Sequence, residues 1–269
     1  MPLTSLSGSV VLSPVPAADI VARLRAAGCV FAEDEAELLA AAARTPEELT
    51  ALVDRRVAGF PLEQVVGWAE FGGLRIAVAP GVFVPRRRTE FLVKQAAAVA
   101  EPGAVVLDLC CGAGAIAAVL AAALDGMVPG AEVHAADIDP AAVACARRNV
   151  PGAVYQSDLF DALPARLRGR VTILTANVPY VPTAEIAFLP PEARTYEPRA
   201  ALDGGPDGLA VARRVAAGAP RWLAPGGHLF IETSEQQAAR AVTDFTAAGL
   251  SAQVVSSAEL NATVVIGTA

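Results

Sequence analysis

The chain has 269 residues, enough for one large domain or a medium domain beside a small one, and its 54% hydrophobic content excludes global disorder. A net charge of −7 and a pI near 5.0 argue against broad nucleic-acid binding, which needs clustered positive charge to displace counterions. No apolar run reaches the roughly 18 residues of a membrane span, and Met1 to Val15 lacks a basic leader, so a cytoplasmic location with no membrane partner is expected. Cys29, Cys110, Cys111 and Cys145 form no C-x-x-C pair, and His134 and His228 lie far apart. No metal site is expected from that spacing.

The first elements read as helices. Ala17 to Ala27 carries apolar residues at helical spacing and stops at Gly28. Glu33 to Ala43 has acids in its first turn, which suits the helix dipole. Thr45-Pro46-Glu47-Glu48 reads as an N-cap, a proline at the first helical position and acids behind it. That helix runs to about Val57 and ends near Gly59. From Phe71 to Val84 the pattern changes to alternation at Leu74, Ile76 and Val78, then a turn at Ala79-Pro80-Gly81, then Val82-Phe83-Val84. A β-hairpin is predicted there, joining two domains.

From Glu101 onward strands and helices alternate. Strands are predicted at Val105–Leu109, Val133–Ala136, Val154–Gln156, Val171–Ala176, Gly227–Glu232, Ser251–Val255 and Thr263–Ile266. Helices are predicted at Ala113–Leu124, Pro140–Asn149, Leu209–Trp222 and Glu235–Ala247. This order predicts an α/β fold, a mostly parallel doubly wound sheet of seven strands. The final two strands are joined by too few residues for a helical crossover, so one of them is expected to run antiparallel.

Ligands of such sheets bind outside the carboxyl ends of the strands. Three segments fall there. Asp108-Leu109-Cys110-Cys111-Gly112-Ala113-Gly114 follows a strand and opens a helix, and its glycines let backbone approach a ligand. Asp137 ends the next strand, about 25 residues later, where a carboxylate reaches both hydroxyls of a ribose. Asp139, just before Pro140, reads as the helix N-cap. Asp158-Leu159 follows the third strand, where an acid can accept from an adenine amino group and leucine can cover the ring. There is no phosphate-gripping Gly-x-x-x-x-Gly-Lys loop and no Gly-x-Gly-x-x-Gly fingerprint. An adenosine with an amino-acid tail, S-adenosylmethionine, fits better than ATP or NAD.

Asn177-Val178-Pro179-Tyr180 then stands at the tip of the fourth strand of the sheet. A carboxamide there, in a turn stiffened by proline, can hold a planar NH2 group while its nitrogen is methylated, and the tyrosine ring can pack on its flat face. His228 reads as a turn residue, and Arg86-Arg87-Arg88 as a solvated turn.

These segments resemble the HemK-type protein-(glutamine-N5) methyltransferases from about Arg55 to the end. The matching residues are Phe83-Val84-Pro85-Arg86 with Thr89-Glu90, Asp108 to Ile116, Asp137 to Pro140, Ser157 to Leu163, Asn177 to Tyr180, and Glu197 to Gly205. The resemblance implies an N-terminal helical substrate-recognition domain (residues 1–70), a β-hairpin linker (71–88) and a class I methyltransferase domain (89–269). It implies methyl transfer from S-adenosylmethionine to a glutamine in an exposed Gly-Gly-Gln loop of a release factor or ribosomal protein, leaving S-adenosylhomocysteine. By position, Asp108, Cys110, Gly112, Gly114, Asp137, Asp158, Leu159 and Asn177 would bind the cofactor. Asn177, Val178, Pro179 and Tyr180 would bind the substrate amide, with Asn177, Pro179 and Tyr180 catalytic. The sequence departs from the family at Cys110 and Val178, where glycine and proline are usual, and at Arg87, a second proline in the family. A cysteine at position 110 is strained if that turn needs positive φ. The helical part also reads as shorter than in family enzymes acting on release factors. Other acceptors compatible with the same strand-tip carboxamide are an amino group of nucleic acid or of a small molecule. A non-catalytic cofactor-binding module is a further reading.

Overall fold

Four helices come first in a computed structural model that describes residues 17–269: α1 (Ala17–Ala26), α2 (Ala32–Ala42), α3 (Pro46–Val57) and α4 (Leu62–Val66). The reading of Met1 to Val15 lies outside the described residues. Ile20 and Leu24 of α1 are buried against Ala36 and Leu39 of α2, Val53 of α3 and Val65 of α4. Gly28 and Gly59 end their helices with φ of 91° and 93°. The Thr45 hydroxyl accepts from the Glu48 N–H at 3.2 Å, as the capping pattern predicts. Arg56 donates to both oxygens of Glu35, at 2.6 and 3.1 Å, which keeps that buried acid paired. Helix α4 was not foreseen; five residues are too short to show a period.

The chain divides into two units between Val66 and Gly67. The second unit opens with the hairpin, and here the structure corrects the sequence. Its strands are β1 (Trp68–Phe71) and β2 (Leu74–Ala77), paired from Trp68↔Ala77 to Phe71↔Leu74. The turn between them is Gly72-Gly73, with φ of 57° and 76°, as a two-residue hairpin turn requires. Ala79–Gly81 does turn the chain, but Val82–Val84 forms no strand; its valines are buried in the core without ladder pairing. An apolar run buried without ladder pairing looks the same in sequence as a strand.

A single turn of 3₁₀-helix (Arg87–Thr89) leads into α5 (Glu90–Ala97). Then come β3 (Val105–Leu109), α6 (Ala115–Leu124), β4 (Glu132–Asp137), α7 (Pro140–Ala146), β5 (Ala153–Gln156) and β6 (Val171–Ala176). After β6 lie two short helices, α8 (Pro191–Tyr196) and α9 (Arg199–Leu202), then α10 (Ala210–Gly218), β7 (Leu223–Thr233), α11 (Glu235–Ala247), β8 (Ser251–Ser257) and β9 (Ala262–Thr268). The seven strands from β3 onward form one sheet in the order β5-β4-β3-β6-β7-β9-β8. Only β9 runs against its neighbours, antiparallel to both β7 and β8.

Alternation along each strand sends side chains to two cores. Val106, Ile173, Phe230 and Val264 face α5 and α6, with Phe91, Leu92 and Leu120. Leu107, Leu109, Leu174, Ala176, Leu229 and Ile231 face α10 and α11, with Val215 and Phe245. Both faces of the central strands are therefore covered, which explains their continuous apolar sequence. The order reverses between β3 and β6, and Leu109 pairs with Ala176 in register. Their two tips end side by side at this switch point, where open α/β sheets hold ligands.

Candidate active site

The turn after β3 holds three residues in left-handed conformation: Cys110 (φ 54°), Gly112 (φ 54°) and Gly114 (φ 78°). A Cβ on Gly114 would stand 2.6 Å from Val150 Cγ2 and 3.0 Å from Ala146 Cβ, so only glycine lets α6 start against α7. Cys110 does carry the strain its position implies, roughly 1–2 kcal/mol for a residue with a Cβ. Burial, then the charges of Asp137 and Asp108, push its thiol far up, which makes it an unreactive neutral group.

The turn is tied to β4. The Gly112 N–H donates to Asp137 Oδ2 at 2.8 Å, and the Asp139 N–H donates to Asp137 Oδ1 at 2.9 Å. Burial raises the Asp137 carboxyl, against the lowering effect of those backbone donors. Asp139 caps α7 by accepting from the Ala141 N–H at 2.8 Å. Asp108 lies inside the sheet, fully buried. Its Oδ1 accepts from the Thr175 hydroxyl at 2.9 Å, and its Oδ2 is buried with no hydrogen-bond partner among the described residues. Burial pushes this carboxyl up to about 7. After β5, Leu159 is buried with φ 50°. Asp158 accepts from Arg214 Nη2 with both oxygens at 2.9 Å, a partner the sequence did not suggest.

At the tip of β6, Asn177 Nδ2 donates to Thr89 Oγ1 at 3.4 Å. Among the described residues nothing donates to its Oδ1. Val178 and Pro179 are buried. The Tyr180 carbonyl accepts from Gln237 Nε2 at 2.9 Å. The Tyr180 hydroxyl meets Arg88 Nη2 and donates to Glu232 Oε1 at 3.4 Å. Glycines admit this packing: a Cβ on Gly204 would lie 2.7 Å from the Pro179 carbonyl oxygen, and one on Gly208 2.3 Å from that of Tyr180.

Two of the three arginines, Arg86 and Arg88, are paired with acids, contrary to the sequence reading of a solvated turn, while Arg87 is exposed as that reading expects. Arg86 Nη2 donates to both oxygens of Glu197, at 2.7 and 2.6 Å, and the Val84 N–H adds a third bond at 3.1 Å. Glu197 is buried, which raises its carboxyl against the pull of Arg86. Arg88 Nε donates to Glu232 Oε1 at 3.0 Å and its guanidinium lies 5.8 Å from the Tyr180 ring centre. Residues 84–90 thus form a strap tied to the segment after α8, to the tip of β7 and to Asn177. The sequence assigns no contact at the strand tips to Thr89, Arg88, Glu197, Glu232 or Gln237. The one signal for Glu232 was an acid ending the apolar run Leu229-Phe230-Ile231. His228 Nδ1 lies 3.0 Å from Thr268 Oγ1 on the neighbouring β9, away from the strand tips. Among the described residues no group of three His, Cys, Asp or Glu is placed to hold a metal ion.

A doubly wound sheet of this order, with a left-handed glycine turn after its central strand, an acid at the tip of the next and an Asn-x-Pro-Tyr turn beside them, defines a class I S-adenosylmethionine-dependent methyltransferase. A family model for the methyltransferase small domain matches residues 73–180. A methyltransferase of Pyrococcus furiosus shares the fold with TM-score 0.53 and 15% identity, over 81% of this chain and 96% of that one. The release factor glutamine methyltransferase of Mycolicibacterium smegmatis is 42% identical over 247 residues, covering 84% of this chain and 85% of that protein. The 4-amino-L-phenylalanine/4-methylamino-L-phenylalanine methyltransferase of Streptomyces pristinaespiralis is 38% identical over 207 residues, 73% of this chain and 69% of that protein. The chain belongs to the release factor glutamine methyltransferase family, the protein-(glutamine-N5) methyltransferases.

Proposed function

We propose that this enzyme methylates the side-chain nitrogen of a glutamine in a peptide chain release factor. One observation carries the reading: Leu109 pairs with Ala176, so the Cys110–Gly114 turn and Asn177 extend from adjacent strand tips, roughly 5 Å apart at their bases. The residues present fit S-adenosylmethionine. Each Asp137 oxygen accepts one backbone N–H and keeps capacity for a ribose hydroxyl. The unpartnered Asp108 Oδ2 suits a cationic amine within reach. Leu159 offers an apolar face for adenine beside Asp158. When bound, the cofactor supplies an electrophilic methyl group.

The protein's part is positioning. An amide nitrogen is a weak nucleophile because its lone pair is delocalised, and well-held geometry can supply roughly 7–11 kcal/mol of a barrier. Thr89 holds the Asn177 nitrogen, which leaves Oδ1 to accept an N–H of the acceptor. Pro179 and the held Tyr180 ring form the walls of the slot and exclude water. An acceptor for N–H also favours the positive character that nitrogen gains on methylation. No helix among the described residues is long and apolar enough to cross a membrane, and Cys110, Cys111 and Cys145 are unbridged.

The rival acceptor is a small aromatic amine, the class named for the Streptomyces pristinaespiralis relative, and the slot's requirement for an NH2 group would suit it too. Incubation with methyl-labelled S-adenosylmethionine, a full-length release factor and 4-amino-phenylalanine decides between them. Label in the release factor, mapped to one glutamine by mass spectrometry, is the expected result. Label only in the amino acid, or in neither, would end the glutamine reading.

A further inference from the structure

Ser234-Glu235-Gln236-Gln237 opens α11 with a Ser-x-x-Gln pattern, the sequence of a helix capping box, which gives Gln237 an ordinary structural role. The cap uses the side-chain oxygen alone. Oε1 accepts from the Ser234 N–H at 3.2 Å, the Ser234 hydroxyl at 2.9 Å and the Thr233 hydroxyl at 3.0 Å. The nitrogen faces the other way. Nε2 donates to the Tyr180 carbonyl at 2.9 Å and to the Asp207 carbonyl at 3.0 Å. A backbone N–H only donates and a carbonyl only accepts, so the amide fits one way round. One side chain thus joins the start of α11 to the Asn177–Tyr180 turn and to the loop before α10.

The groups that it joins are themselves held. The Asp207 carboxylate accepts from Arg213 Nη1 and Nη2 at 3.0 and 2.6 Å and from the Leu209 N–H at 3.2 Å. Just past Tyr180, the Val181 N–H donates to the Leu202 carbonyl at 3.0 Å and the Gly204 N–H donates to the Val181 carbonyl at 2.9 Å. The meeting point needs a residue without a Cβ: one on Gly208 would stand 2.1 Å from Gln237 Nε2.

We propose that Gln237 is a positioning residue for methyl transfer: through Nε2 it fixes the Tyr180 carbonyl and with it the peptide planes of the Asn177–Tyr180 turn. This rests on the glutamine reading above. An NH2 group brings two N–H bonds; Asn177 Oδ1 takes one and a backbone carbonyl of the turn takes the other, so the backbone must be held as firmly as the side chain. Pro179 fixes φ at its own position, but Val178 leaves φ free where the family's proline would fix it. Gln237 supplies the missing stiffness from outside the turn. It is half-buried, so water can reach the two carbonyls when its N–H groups are removed. The fold then survives, and what is lost is the fixed position.

Gln237→Glu separates the two roles of the side chain. Glutamate is an ordinary capping-box residue and keeps the acceptor for Ser234 and Thr233, but it has no N–H for Tyr180 and Asp207. The full-length enzyme, methyl-labelled S-adenosylmethionine and a full-length release factor are followed by single-turnover kinetics, beside calorimetry with S-adenosylhomocysteine. Methyl transfer should slow at least about tenfold, since a misplacement of about 1 Å can cost about a hundredfold, while cofactor affinity should stay within about twofold of wild type. A cap alone predicts wild-type turnover from this variant, and turnover within about threefold of wild type overturns the proposal. An equal loss of cofactor affinity also overturns it, because the damage would then lie outside the acceptor turn. Should Gln237→Glu not fold, Gln237→Met, neutral and without a donor, is measured per folded molecule, and a rate within about threefold of wild type again overturns the proposal. A wild type that methylates the release factor, matched by its variant, sinks this assignment and spares the function. A wild type that methylates no release factor ends the glutamine reading and this assignment with it.

Discussion

Asn177→Ala separates a chemical role from a structural one with unusual clarity. Among the described residues the side chain makes one hydrogen bond, Nδ2 to Thr89 at 3.4 Å, which is at the long edge of the useful range. Its loss should cost about 0.5–1 kcal/mol of stability at most. In a unit of this size that lowers Tm by roughly 1–4 °C. The Cβ remains, and the neighbouring Val178 and Pro179 stay buried, so the turn should hold its shape. Catalysis loses a preorganised acceptor for the reacting nitrogen, a change that typically lowers kcat by about 100- to 1,000-fold, or roughly 2.7–4 kcal/mol. Cofactor binding, set on the neighbouring β3 and β4 tips, should change little. Single-turnover kinetics with a release factor and calorimetry with S-adenosylhomocysteine report the two quantities separately. Turnover within threefold of wild type would refute the slot mechanism; equal losses of turnover and cofactor affinity would mean that the turn itself had collapsed.

Three more expectations concern the frame. Asp137→Ala removes the acceptor for Gly112 and Asp139 and the proposed ribose contact, so S-adenosylhomocysteine affinity should fall at least about tenfold; unchanged calorimetry would remove Asp137 from the cofactor site. Arg86→Ala strands the buried Glu197 carboxylate, and breaking such a pair costs about 3–5 kcal/mol, whereas Arg86→Ala with Glu197→Gln should recover most of it in urea denaturation; equal midpoints for the single and double variants would contradict the pairing. Asp108 ionises near 3.8 in an unfolded chain but keeps its proton to about 7 when folded. Its contribution is therefore fully present below pH 3.8 and is lost as pH rises to about 7, by at most about 4 kcal/mol. Denaturation of the cofactor-free protein at pH 5 and pH 8 should show that fall, and Asp108→Asn should flatten it; a slope of the same size in the variant would point to another group.

Much of this molecule was legible as sequence because it is local. Strand and helix periods, the Thr45 cap, the left-handed turn at Gly112 and Gly114 and the strand-tip positions of Asp137 and Asn177 follow from residues within a few places of one another. The strain at Cys110 also followed, since a Cβ in a left-handed turn is unfavourable wherever the turn occurs. Sequence failed where burial and pairing diverge: Val82–Val84 is apolar because it packs in the core, and only the neighbouring chain decides that no ladder forms there, while the hairpin turn sits at Gly72-Gly73. It failed again at Arg86 and Arg88. A run of three arginines is ordinarily solvated, and its meaning here depends on Glu197 and Glu232, 111 and 144 residues away. Those partners arrive only because β6 crosses to the far side of β3 and β7 follows it, bringing two buried acids under one strap. Residue chemistry set which groups could bind and accept; the order of the strands determined which of them met.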